Sequence, residues 1–185
     1  MKKLFALALL LAAGSAFAHP GHDHGHGLES IQAGLLHPLT GIDHLLMLLG
    51  SGVLAALTGR TLALPLATIV ALAGGAVLGQ ALGGLVGMET LILLSLVVAG
   101  AALLVKRGRG VLAAFLPALA LAHGWAHGVE ADGSAFGIFA AGFLLVSCLL
   151  LAAGFGAGLW LRKLPAVQKV AGSALIASAA VMFAG

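Results

Sequence analysis

His37-Pro38-Leu39-Thr40-Gly41-Ile42-Asp43-His44 heads an apolar run that continues Leu45-Leu46-Met47-Leu48-Leu49 and reads as a membrane helix. An ionisable group at bilayer depth costs at least about 2.5–3.5 kcal/mol on insertion scales, so an aspartate beside a histidine there marks a functional site. At about 100° per residue, His37 and His44 fall almost on one line of the helix and Asp43 about 100° around from His44. The three can face one cavity. Imidazole nitrogen and carboxylate oxygen suit divalent nickel, cobalt, zinc and iron, and with no thiolate nearby a copper(I) or cluster site is disfavoured.

The rest of the chain has the composition of a membrane protein. Of 185 residues, 61% are hydrophobic and 8% charged, and the mean hydropathy of +1.15 lies far from that of ordinary soluble domains. The formal charge of +3 is explained below by one side of a membrane, so nucleic acid is excluded as a partner. Cys148 is the only cysteine and lies in an apolar run; it reads as a small buried hydrophobe, with no disulfide framework.

Residues 1–18 carry Lys2 and Lys3, an apolar core from Leu4 to Ala13 and the small-x-small end Ala16-Phe17-Ala18, the pattern of a cleaved signal peptide. Cleavage removes two lysines and no acid, leaving seven basic residues against six acidic and a net charge of +1. The mature chain then begins with a tail over 19–30 in which His19, His22, His24 and His26 are spaced by glycines, a tract able to collect metal ions loosely on the outer face.

Residues 31–185 form the expected transmembrane domain. Six apolar segments follow one another at 31–57, 62–85, 89–105, 111–129, 135–161 and 164–184, each near the length of about 20 residues that spans a hydrocarbon core. The expected fold is an all-α integral membrane protein, a compact bundle of six transmembrane helices. Arg60, then Lys106, Arg107 and Arg109, then Arg162, Lys163 and Lys169 occupy alternate junctions, which are cytoplasmic by the positive-inside rule. Glu89, Glu130 and Asp132 stand at the other junctions, so both termini are expected outside. Trp160 beside Arg162 fits an interfacial anchor. Gly75, Gly79, Gly83 and Gly87 recur every four residues, as do Gly154 and Gly158; such faces let helices approach closely, within one bundle or in a homo-oligomer.

The fourth segment ends His123-Gly124-Trp125-Ala126-His127-Gly128-Val129-Glu130. His123, His127 and Glu130 stand at i, i+4 and i+7, one polar stripe on a helix face. With the first segment entering the membrane and the fourth leaving it, both polar clusters fall in the outer half and can meet in a shared metal site or pathway. Gly124 and Gly128 flank the stripe and leave room for a close neighbour or a hydrated passage. Met47, one turn beyond His44, is either packing or a soft contact on the exit path.

At these residues the chain resembles the HupE/UreJ family of small nickel/cobalt permeases. The family's first-span pattern, His followed by five residues and Asp-His, is met by His37, Asp43 and His44. Its fourth-span His-Gly-x-Ala-His-Gly-x-Glu pattern is met by His123, Gly124, Ala126, His127, Gly128 and Glu130. Ala122 departs from it, because the family often has Phe there, and an aromatic wall of the pathway is thereby in doubt. The resemblance implies uptake of Ni2+ or Co2+ across the bacterial inner membrane and a link to hydrogenase or urease maturation. The ion is cargo, and no prosthetic group is expected.

The expected path therefore runs from the tail histidines into His37, Asp43, His44, His123, His127 and Glu130, where carboxylates offset the ion's charge and neutral imidazoles replace its water. Acidification should weaken transport as imidazoles with an ordinary pKa near 6.5 take up protons. No GxxxxGK[ST] phosphate loop is present, so the chain is not expected to hydrolyse ATP, and the resemblance to permeases implies that it is not an enzyme. Alternatives for the same residues are a membrane bis-His haem protein, which leaves Asp43 unexplained, and a metal-dependent membrane hydrolase, for which no HExxH pairing exists. Metal export is the third, and the outward-facing tail speaks against it.

Overall fold

The computed structural model describes residues 28–131, 133 and 135–184. The expected signal peptide over 1–18, the tail histidines His19, His22, His24 and His26, and Asp132 lie outside the described residues. Among the described residues the secondary structure is helical throughout. The helices are α1 (Leu28–Thr40), α2 (Ile42–Thr58), α3 (Ala63–Leu82), α4 (Met88–Leu104), α5 (Arg109–Ala114), α6 (Leu116–Glu130), α7 (Phe136–Leu161) and α8 (Pro165–Ala184). Among the described residues, four stretches are long and apolar enough to cross a membrane, at 63–82, 109–130, 136–161 and 165–184, the second of them made by α5 and α6 together. Leu62, Val70, Leu145, Leu149 and Phe183 point outward from the bundle, as expected of surface in contact with lipid rather than water.

The first expected segment is not one straight helix. Residues 30–40 and 42–58 meet at 72°, and count as a fifth crossing only as a broken span. Pro38 lacks the N–H that would close the preceding turn, and Gly41 interrupts the helical run with an extended backbone (φ −75°, ψ 104°). The His37 carbonyl keeps its helical partner, the Gly41 N–H at 3.0 Å, and also accepts from the Thr40 hydroxyl at 3.1 Å. His37 and His44 therefore sit on different helices, which corrects the expectation of a single line of imidazoles. The third expected segment, α4, has 17 residues, about 25 Å at 1.5 Å per residue and short of a hydrocarbon core of about 30 Å.

Glycines set which helices touch. A Cβ on Gly75 or Gly79 would press into the carbonyls of Leu121 and Trp125, and one on Gly124 or Gly128 into those of Leu72 and Ala76. Residue numbers rise together along both helices, so α3 and α6 run parallel, backbone against backbone. The same interlock joins α7 to both halves of the broken span. Gly142 lies against Ile31 of α1, whose Gly34 lies against Phe139, and Gly154 lies against Leu49 of α2, whose Gly52 lies against Leu151. The expected four-residue series beyond Gly79 does not continue as a packing face: Gly83 (φ 76°) and Gly87 (φ 84°) form the turn between α3 and α4 instead. Gly124 and Gly128 meet a close neighbour, α3. Cys148 lies on the exposed side of α7, contrary to the expected burial, because Gly142, Val146 and Gly154 hold the inward face.

The basic residues gather at one end of the bundle and carry a structural task there. Arg162 donates to the Ala56 carbonyl near the end of α2. Arg109 donates to Ala102, Val105 and Leu103 at the end of α4 and, at 2.8 Å, to the Gln168 side chain of α8. Arg109 thereby satisfies carbonyls left at the C-terminus of α4, and Arg162 adds a further donor to a carbonyl that the Gly59 N–H also reaches. His44 stands about 20 Å from this end along α2. Between them lies a fully buried apolar layer that includes Met47, Leu48, Leu54, Leu96 and Leu116.

Candidate metal site

The break at Gly41 starts α2 afresh, so its first turn presents Asp43 and His44 toward the interior. The His44 Nδ1 lies 3.1 Å from Asp43 Oδ1, with the two side chains 6% and 18% exposed. From α6, locked against α3 by its glycines, His123 and His127 reach the same level, both fully buried. The rings meet: His44 is 4.3 Å from His123 and 4.1 Å from His127 between centroids, and His37 is 4.2 Å from His127 and 6.1 Å from His44. Two polar clusters legible on separate segments form one constellation.

Its hydrogen bonds divide each buried imidazole into an anchored and a bare side. His127 Nδ1 donates to the His123 carbonyl at 2.7 Å, since a carbonyl can only accept. His44 Nδ1 faces the Asp43 carboxylate, and His123 Nε2 lies 2.9 Å from the Ser95 hydroxyl on α4. The opposite atoms, His44 Nε2, His123 Nδ1 and His127 Nε2, are buried with no hydrogen-bond partner. Buried polar atoms are nearly always paired, so three such nitrogens in contacting rings need a reason. A ligand His ordinarily donates its second N–H to a carboxylate, carbonyl or similar acceptor. One donor atom from each of Asp43, His44 and His123 can be chosen so that all lie within 4.8 Å of one another. Donors around an ion bound at about 2.0–2.1 Å stand roughly 3–3.4 Å apart, so a small inward movement would close the set.

Glu130, at the end of α6, pairs with His37: Glu130 Oε2 is 3.4 Å from His37 Nε2, and the side chains are 37% and 26% exposed. They form the accessible edge of the constellation, and His127 touches both His37 and the buried His44. Met47 is fully buried and its sulfur accepts from the Ser51 hydroxyl at 3.5 Å, a packing position below the site.

Sequence reasoning overlooked three contributors. Ser95 gave no signal beyond being a lone hydroxyl in an apolar run. Phe143, with its ring 4.2 Å from that of His127, and Phe139, 6.0 Å from His37, come from α7. They supply an aromatic wall from a different helix than the position of Ala122.

Fold and constellation define a helical membrane protein whose buried polar side chains gather where a broken helix meets a glycine-locked pair. The chain belongs to the HupE / UreJ protein family, which it matches over residues 7–183. It is similar to Protein HupE of Rhizobium leguminosarum bv. viciae, with 35% identity over 182 residues that cover 92% of this chain and 95% of that relative. No solved structure matches it.

Proposed function

We propose that the protein is a six-crossing permease that takes up Ni2+ or Co2+ across the bacterial inner membrane, its basic end cytoplasmic and its His/Glu edge periplasmic. The observation that carries this reading is the trio of buried, partnerless imidazole nitrogens beside the Asp43 carboxylate. Family membership supports metal transport over an enzymatic role. The ion, gathered by His19, His22, His24 and His26, first meets His37 and Glu130, then Asp43, His44 and His123, with His127 in contact with both groups. Incomplete protein ligation suits a site that must also release its ion. Inward of it the closed layer around Met47, Leu48 and Leu96 has to part for release, driven by the gradient, the membrane potential or a partner.

A haem between one histidine of each span is disfavoured, because His44 and His123 are in contact at 4.3 Å with perpendicular rings and leave no slot for a macrocycle. The test is nickel uptake into cells lacking their own nickel importers, with cobalt and zinc as competitors. Uptake above background, lowered by His44→Ala at least about tenfold at matched membrane expression, is the expected result. No uptake of any of the three ions by correctly inserted protein overturns the reading.

Gly41→Ala offers a finer check. A Cβ there would lie 3.2 Å from both Asp43 Oδ1 and His44 Nδ1, close enough to push the pair apart while leaving the helices intact. Nickel affinity of the purified protein should fall about tenfold, at the lower end of what disturbing a ligand's outer partner does, with an unchanged elution profile in detergent. Equilibrium dialysis against nickel measures it.

A further inference from the structure

We propose that Ser95 is a positioning residue for this path: it fixes His123 in the Nε2–H tautomer and so turns the bare Nδ1 toward the other imidazoles. The assignment of a purpose to that lone pair rests on the metal-path reading; the tautomer itself does not.

The argument is one of proton counting. Ser95 has a single hydroxyl proton, and its Oγ lies 2.6 Å from the Ile92 carbonyl, an atom that can only accept. The proton therefore goes to Ile92, and the remaining lone pairs of Oγ require a donor. His123 Nε2, at 2.9 Å, must supply it. The other tautomer would set lone pair against lone pair at Oγ and leave an Nδ1–H buried with no acceptor. Both side chains are fully buried, so bulk solvent does not relieve either fault. The ring nitrogen not engaged by an outer partner is the one that remains free to bind.

His123 thereby obeys the same rule as its neighbours by a different route. His44 is anchored by the Asp43 carboxylate and His127 by the His123 carbonyl, each leaving Nε2 bare. His123 is anchored from another helix and leaves Nδ1 bare. Ser95 is thus the contribution of α4, which lends no imidazole or carboxylate to the cluster.

The test uses the full chain purified in detergent. Imidazole 15N NMR of the metal-free protein, with His123 assigned by the signal lost in His123→Gln, should give a protonated Nε2 and an unprotonated Nδ1. Ser95→Ala should populate both tautomers of His123 and lower nickel affinity about 10–100-fold, and Ser95→Thr, which keeps the hydroxyl, should return both toward wild type. A wild-type Nδ1–H overturns the proposal, as does a Ser95→Ala protein whose tautomer is unchanged, whatever its affinity. Should Ser95→Ala not fold, the wild-type tautomer alone decides. Wild-type protein that binds neither nickel nor cobalt sinks the metal path, while the NMR result still decides what Ser95 does to His123.

Discussion

Asp43→Asn is expected to abolish nickel uptake, lowering it at least about a hundredfold in cells that depend on this protein for the ion. The substitution isolates charge. An Asn amide oxygen can occupy the place of Asp43 Oδ1 and still accept from His44 Nδ1, so the imidazole keeps its anchor and the α2 backbone its course. What disappears is the one negative charge among the three residues whose donor atoms converge within 4.8 Å. At an effective dielectric near 20, a dication and a carboxylate even about 5 Å apart, farther than a bound donor, attract by roughly 7 kcal/mol. A hundredfold loss corresponds to about 2.8 kcal/mol, so even half of that attraction suffices. Glu130 cannot substitute for it, because it lies with His37 at the exposed edge, where water screens its charge. Asp43→Glu keeps the charge on a longer stem and should retain part of the uptake. Initial rates with radioactive nickel at matched membrane expression measure both, and wild-type rates in Asp43→Asn would remove the carboxylate from the path.

The residues of this constellation were legible because lipid makes them conspicuous: His37, Asp43, His44, His123 and His127 stand in apolar runs where ionisable groups are costly. Their meeting was not legible. Spacing within α2 or α6 fixes a face of each helix, but where α6 stands in the bundle depends on packing with a third helix, through Gly75, Gly79, Gly124 and Gly128 between α3 and α6. A four-residue repeat of glycines also misleads, since Gly83 and Gly87 continue the repeat and serve a turn. The break at Gly41 was hidden for a related reason. Proline and glycine are tolerated inside membrane helices when neighbours satisfy the freed groups. Whether the chain bends then depends on what lies across from it, here α7 with Gly142 on one leg and Gly154 on the other. Ser95 was invisible because a serine in an apolar helix ordinarily bonds back to its own backbone, which it does to Ile92, and nothing along the chain marks its second partner 28 residues away.

Gly124→Ala is expected to destroy the fold, although it adds one methyl group. A Cβ at Gly124 would overlap the carbonyl of Leu72, and across the same crossing Gly75 is held equally tightly by Leu121. The obstructing atoms are backbone, so no rotamer change relieves the contact. Either α6 withdraws from α3 along its length or the helices lose register. Overpacking of a core with side chains that can yield costs about 1–3 kcal/mol, and here the yielding element is a whole helix, which places the effect among the exceptional losses above about 4 kcal/mol. The damage reaches the site directly: Gly124 adjoins His123, and a shift of α6 takes His123 from Ser95 and His127 from His44. Gly74 gives the control on the same crossing helix, α3. Nothing lies within 4 Å of a Cβ built there, so Gly74→Ala should elute as a single species with a thermal midpoint at or slightly above that of wild type. Monodispersity in detergent and the thermal midpoint separate the two variants. If Gly124→Ala were as stable as Gly74→Ala, α6 would not lie against α3 in this register, and the place of α6 beside Ser95 and His44 would lose the packing that holds it from the α3 side.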